Sequence, residues 1–146
     1  MNLISTSIPT TPQPWNRNPE GYVKHQLLLV ELVTWLEEQG AEVQIPEDSG
    51  EWDKGVDLII NGLPVDLKGF GLQAHGSSYT WDSEFYRGRP RPLYEGSLTE
   101  WFVHPAGTSP SDWIAAPADS LRTSKYGYAP YYFQSESITM DQFVAS

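Results

Sequence analysis

Residues 56–69, VDLIINGLPVDLKG, constrain the fold of this chain more than any other stretch. Asn61-Gly62 between two apolar runs predicts a two-residue hairpin, because both turn positions need a positive φ. The register then follows. Ile60 faces Leu63, Ile59 faces Pro64, Leu58 faces Val65 and Asp57 faces Asp66. Counted outward from the turn, Asp57 and Asp66 form a non-hydrogen-bonded pair, with Cβ atoms roughly 4.5–5.5 Å apart. Alternation puts Asp57, Asp66 and Lys68 on one face. Two carboxylates opposite each other on such apolar strands repel. A hard divalent cation is the natural compensation, since it takes carboxylate oxygens and leaves positions for water and phosphate. Lys68 would stand beside it, able to orient a water or neutralise developing phosphate charge. The plainer reading is a hairpin with a solvated polar face.

This pattern resembles the PD-(D/E)XK nuclease superfamily, the restriction-endonuclease-like fold. Asp57 matches the first acidic position, and Asp66-Leu67-Lys68 matches the D/E-x-K triplet. The match covers the hairpin and the helix before it. The resemblance implies a metal held by Asp57, Asp66 and the Leu67 carbonyl, with Mg²⁺ or Mn²⁺ as cofactor and Lys68 acting on the attacking water. It implies DNA as partner, most often double-stranded, and a protein that often dimerises. A small chain of this kind fits a phage-type, homing-type or repair-type endonuclease.

At 146 residues the chain is long enough for one domain with a real core. It has no cysteine, which excludes disulfides, thiolate metal sites and a cysteine nucleophile, and fits a reducing, cytoplasmic setting. No apolar run reaches ~18 residues, so no membrane helix is expected. Residues 1–14 lack the basic start and apolar core of a secretory signal. The net charge of −10 weighs against a simple nucleic-acid binder. The acids crowd residues 1–60, however, and residues 61–125 are nearly balanced. A nucleic-acid face is therefore expected in the second half. Arg87, Arg89 and Arg91 alternate along a Gly/Pro loop flanked by tyrosines and Phe85, which suits phosphate contact and base stacking. Arg122 and Lys125 are second-rank phosphate contacts. The bland reading of the arginine run is a solvated loop, its arginines paired to some of the surplus acids.

Residues 1–17, rich in Thr, Ser, Pro and Asn, read as an extended N-terminal arm, and residues 18–146 as a single nuclease-like domain. Asn18-Pro19-Glu20 starts a helix that runs to about Gln39, with Gly40 as its stop. His25, Leu29, Leu32 and Leu36 share one face, flanked by Tyr22, Leu28 and Val33, while Glu37 and Glu38 lie on the solvated side. Members of the resembled family usually carry a metal-organising Glu on this helix. Here Glu31, the mid-helix carboxylate, lies off the buried stripe. His25 sits on it, next to Gln26. The open alternatives are His25, Gln26 or Glu31 as the outer ligand, or a site that does without one. For His25 a buried, hydrogen-bonded core imidazole is the equally weighted plain reading.

Strands are expected at residues 41–46, 99–105, 112–117 and 131–133, a loop at 69–78 with His75 exposed, a short helix or turn at 119–125, and a helical turn at 139–144. No phosphate loop, H-E-x-x-H or nucleophile elbow occurs. The expected fold is α/β, a restriction-endonuclease-like core with a mixed β-sheet flanked by helices. The expected activity is divalent-metal-dependent hydrolysis of phosphodiester bonds in DNA. Two other classes stay open: a nuclease-fold protein that has lost catalysis and binds nucleic acid or protein, its acidic surface mimicking DNA, and an interaction module with no site.

Overall fold

A computed structural model of the chain describes residues 3–16, 18–46, 56–69, 72–80, 85–86, 89–90, 98–123 and 130–146, with the backbone alone at 85–86, 89–90, 123 and 130. Helix α1 spans Pro19–Glu38. Asn18 Oδ1 caps it by accepting from the Gly21 amide at 3.0 Å. A side chain at Gly21 would push this cap aside, since a Cβ there would lie 2.5 Å from Asn18 Nδ2. Gly40, with φ +77°, follows its end. The buried face is Gln26, Leu29, Leu32, Val33 and Leu36. It matches the expected stripe except that Gln26 goes inside and His25 stands at its rim, half-buried.

The strands are β1 Val43–Gln44, β2 Leu58–Ile60, β3 Leu63–Leu67, β4 Gln73–His75, β5 Ser78–Thr80, β6 Phe85–Tyr86, β7 Arg89–Pro90, β8 Trp101–His104, β9 Ile114–Pro117, β10 Arg122–Thr123, β11 Pro130–Phe133 and β12 Ile138–Thr139. Six form a mixed sheet in the order β1-β2-β3-β8-β9-β12. Its pairs are antiparallel except β3–β8, which is parallel with Asp66 beside Phe102. A second, antiparallel sheet runs β10-β11-β5-β4, and β6 pairs with β7. Helix α2, Met140–Ala145, closes the chain with a capping box between Thr139 and Gln142. The protein is thus a mixed α/β fold with a mixed sheet.

The main sheet has two differently used faces. Leu58, Ile60, Val65, Leu67, Val103 and Ala115 pack against Leu29, Leu32, Val33 and Leu36 of α1, forming the principal core. Phe102, Ala116 and Tyr132 form a second cluster on the other side. At roughly 1.5–3 kcal/mol for each fully buried large aliphatic or aromatic side chain, these two layers supply the main driving force.

Several expectations change. The loop at 69–78 contains a hairpin, β4–β5, turning at Gly76 with φ +59°; His75 is exposed as expected. The strand at 41–46 shortens to β1. Pro110–Asp112 and Ala118–Ser120 are 3-10 turns, and Arg122–Thr123 is a strand rather than part of a helix. The arm is not merely extended. Ile4–Ser7 forms a 3-10 turn, Ile8 enters the core, and the Ile4 and Ser5 amides donate to the Glu37 carboxylate at 2.9 and 3.1 Å. Glu37 is therefore an arm anchor and not a solvated charge. Burial opposes its ionisation, but the hydrogen bonds from Ser5 and Ile4 outweigh that and hold its carboxyl below the usual range.

Candidate active site

The Asn-Gly turn forms as expected, with Asn61 at φ +49° and Gly62 at φ +82°. Asn61 also locks the hairpin to the strand beside it. Its side-chain Oδ1 accepts from the Glu42 amide at 2.9 Å, and its own amide donates to the Glu42 carbonyl at 2.8 Å. The register from Leu58–Val65 to Ile60–Leu63 is the expected one. It does not extend to Asp57. The Asp57 amide donates to the Val65 carbonyl at 2.9 Å, so Asp57 leaves the ladder before it can face Asp66 across it. Its side chain instead reaches the end of β3, where Oδ2 accepts from the Leu67 amide at 2.8 Å. The two carboxyls still interact directly.

His25 reaches this point from α1. Its Nε2–H donates to the Leu67 carbonyl at 3.0 Å and lies 3.4 Å from Asp57 Oδ2. Its Nδ1–H donates to Gln26 Oε1 at 3.1 Å. With Nδ1 carrying a hydrogen, a neutral ring would aim the Nε2 lone pair at two acceptor oxygens. That arrangement requires a positive charge at Nε2, either a proton or a metal ion. In the metal-free protein it is a proton. Burial opposes the charge most strongly, but the hydrogen bond and charge of Asp57, the Gln26 oxygen and the Leu67 carbonyl together raise the pKa from 6.5 to about 9.

Asp66 and Lys68 stand on the other side of β3. Lys68 Nζ is 3.0 Å from Asp66 Oδ2 and 5.3 Å above the Phe102 ring. Burial and the neighbouring Asp57 charge push the Asp66 carboxyl well above its usual range, against the pull of Lys68, and a hydrogen bond with Asp57 adds to the rise. The Asp66 carboxyl is thus the one biased towards its neutral form.

The donor set fits a divalent cation. His25 Nε2, Asp57 Oδ2 and the Leu67 carbonyl oxygen are a nitrogen, a carboxylate and a carbonyl. The 3.0 and 3.4 Å separations are those of neighbouring ligands, since bonds of about 2.1 Å at right angles set them about 3 Å apart. Asp66 adjoins this group. Among the described residues no three His, Asp or Glu side chains make a metal cage by themselves; an ion here would also need the backbone carbonyl of Leu67.

Other candidates fall elsewhere. Glu31 is exposed and takes no part, because its position on α1 faces solvent. Gln26 is buried but is not a ligand: its amide nitrogen donates to the Pro9 carbonyl at 2.8 Å and its oxygen is used by His25. Arg122 is a staple for the second sheet, bonded to Glu136 at 2.6 Å and to the Ser120 carbonyl at 2.8 Å, with its guanidinium 4.7 Å over Phe133. A phosphate would have to compete with this pairing. Arg87, Arg91 and Lys125 lie outside the described residues, as does the side chain of Arg89. One feature was not anticipated. His104, fully buried, sits 3.3 Å from the Tyr132 hydroxyl, and Phe102 beside it carries Lys68. The spacing Phe102-x-His104, on a strand beside the Asp-x-Lys triplet, was the available signal. A groove of about 480 Å³ between the arm and α1, lined by Pro12, Pro19, Val23 and Leu27 with Glu20 and Lys24, includes none of the hairpin residues.

No protein-family model, curated protein or solved structure matches this chain, so its site is read from its own geometry.

Proposed function

We propose that this protein is a divalent-metal-dependent nuclease that hydrolyses phosphodiester bonds in DNA, with a PD-(D/E)XK-type site in which His25 stands where a helix Glu is usual. The observation that carries the reading is the meeting of His25 Nε2, Asp57 Oδ2 and the Leu67 carbonyl, with the Asp66–Lys68 pair alongside. His25, Asp57, Asp66 and the Leu67 carbonyl would hold Mg²⁺ or Mn²⁺. When bound, such an ion polarises the phosphate and lowers the pKa of the attacking water. Lys68, fixed by Asp66 and the Phe102 face, holds that water and offsets the charge that develops on the phosphate. Asp57 keeps the Leu67 peptide in place by accepting from its amide. The Arg87, Arg89 and Arg91 run is the best sequence candidate for the DNA backbone contact.

A second reading is favoured by the protonated His25, which already bonds both Leu67 and Asp57. In it the proton takes the place of the metal and the protein works by binding. One titration separates the two. Mg²⁺ or Mn²⁺ is added to the wild type and to Asp66→Ala, with supercoiled plasmid and single-stranded DNA. Metal-dependent nicking that disappears in the variant supports the nuclease. Metal-independent DNA binding without cleavage supports the second reading, and neither cleavage nor metal binding overturns the nuclease.

A further inference from the structure

We propose that the N-terminal arm is part of the framework of this site: the Pro9 carbonyl orients Gln26, and Gln26 orients the His25 imidazole so that Nε2 faces Asp57 and the Leu67 carbonyl. The direction of each bond is forced. A carbonyl oxygen only accepts, so the Gln26 atom 2.8 Å from Pro9 is its NH₂. The other end of the amide is therefore oxygen, and it can face His25 only if Nδ1 carries a hydrogen. Gln26 is 4% exposed, so water does not supply alternative partners.

Side chains one residue apart on a helix do not ordinarily face each other. The contact between His25 and Gln26 thus depends on an outside hold, and that hold is the arm. The arm is itself anchored at both ends of the relevant stretch. Ile4 and Ser5 are tied to Glu37, more than three helical turns from His25, and Ile8, next to Pro9, is packed in the principal core. Partners that orient a metal-binding histidine in this way typically change metal affinity or activity by 10–100-fold when removed. Gln26 is on this account a positioning residue. Its effect on affinity rests on the reading of His25 as a metal ligand; its effect on the ring does not.

The experiment compares full-length wild type with Gln26→Leu, which keeps the bulk and removes both hydrogen bonds. Nuclear magnetic resonance on the metal-free proteins reads the His25 Nδ1 proton. It should be protected from exchange and in contact with the Gln26 side-chain amide in the wild type, and lost to exchange in the variant. Calorimetry with Mn²⁺ alone should show affinity about 10–100-fold weaker in Gln26→Leu. A protected proton that vanishes in the variant, with no Mn²⁺ binding by either protein, supports the positioning and overturns the metal reading. Mn²⁺ bound by both within about twofold, with the Nδ1 proton still protected, overturns the positioning and leaves the metal reading standing. An Nδ1 proton in fast exchange in the wild type overturns it whether or not the variant folds.

Discussion

Replacing His25 by Gln should remove a pH dependence of folding whose size follows from the site. In the folded protein His25 binds its proton with a pKa of about 9, against an ordinary value of 6.5. At about 1.4 kcal/mol per tenfold change in proton affinity, the bound proton stabilises the fold by about 3 kcal/mol. A typical domain has only about 5–15 kcal/mol in total, so the effect is large. The sign follows from the raised value. The stabilisation is complete below pH 6.5, declines between pH 6.5 and about 9, and is absent above that. Asp66, also raised, loses stability in the same direction, but its window begins in the ordinary carboxylate range and is common to both proteins. Urea unfolding followed by tryptophan fluorescence, repeated at intervals from pH 6 to pH 10, gives the two curves. The wild type should lose about 3 kcal/mol relative to His25→Gln across this range. Parallel curves would refute the claim that a half-buried imidazolium bridges α1 to the hairpin.

Imidazole nitrogen favours Mn²⁺ over Mg²⁺, so His25→Glu should lower the ratio of Mn²⁺ to Mg²⁺ affinity by about tenfold or more, read by calorimetry; an unchanged ratio would exclude His25 as a ligand. Lys68→Met should reduce plasmid cleavage by about 10²–10⁴-fold while Mn²⁺ affinity holds, and a parallel fall in both would make Lys68 a structural residue only. Glu37→Ala should expose the Ile4 and Ser5 amides to hydrogen exchange and cost about 1 kcal/mol. Because this clamp needs an ionised carboxylate with a lowered pKa, it is present above the ordinary Glu value and is lost as pH falls through the lowered one.

Local signals were legible where one physical rule acted alone. Asn18-Pro19 fixed the start of α1, and Asn61-Gly62 fixed the register of β2 with β3. Asp57 departed from that register because its amide found the Val65 carbonyl and its side chain the Leu67 amide, a choice between partners that alternation does not encode. His25 was legible as a helix residue able to reach the hairpin. Its protonation was not, since that depends on Asp57 first and then on Gln26 and the Leu67 carbonyl, which only the folded chain gathers round the ring. The arm reads as merely extended because its anchoring comes from Glu37, which by helical position alone belongs to the solvent side. The Arg122–Glu136 pair was not legible because the two residues are 14 apart and only the fold brings them together. The β4–β5 hairpin was hidden by polar residues and by glycines that also suit a loop.

The parallel pairing of β3 with β8 has a consequence for the order in which the chain assembles. The β2–β3 hairpin is local and closes in about 1–10 μs, whereas Phe102 lies 36 residues beyond its partner Asp66 and His25 lies 32 residues before Asp57. The chain therefore brings Asp57 and Asp66 together before the imidazolium arrives, with Lys68 alone at hand to offset them. Their repulsion makes an early hairpin short-lived until α1 docks, so helix docking and hairpin closure become one step rather than two. Asp66→Asn should then refold faster than the wild type at pH 7 in stopped-flow measurements, with the gap narrowing in acid as the carboxyls take up protons; equal rates at pH 7 would mean that the two charges meet only after the helix is in place.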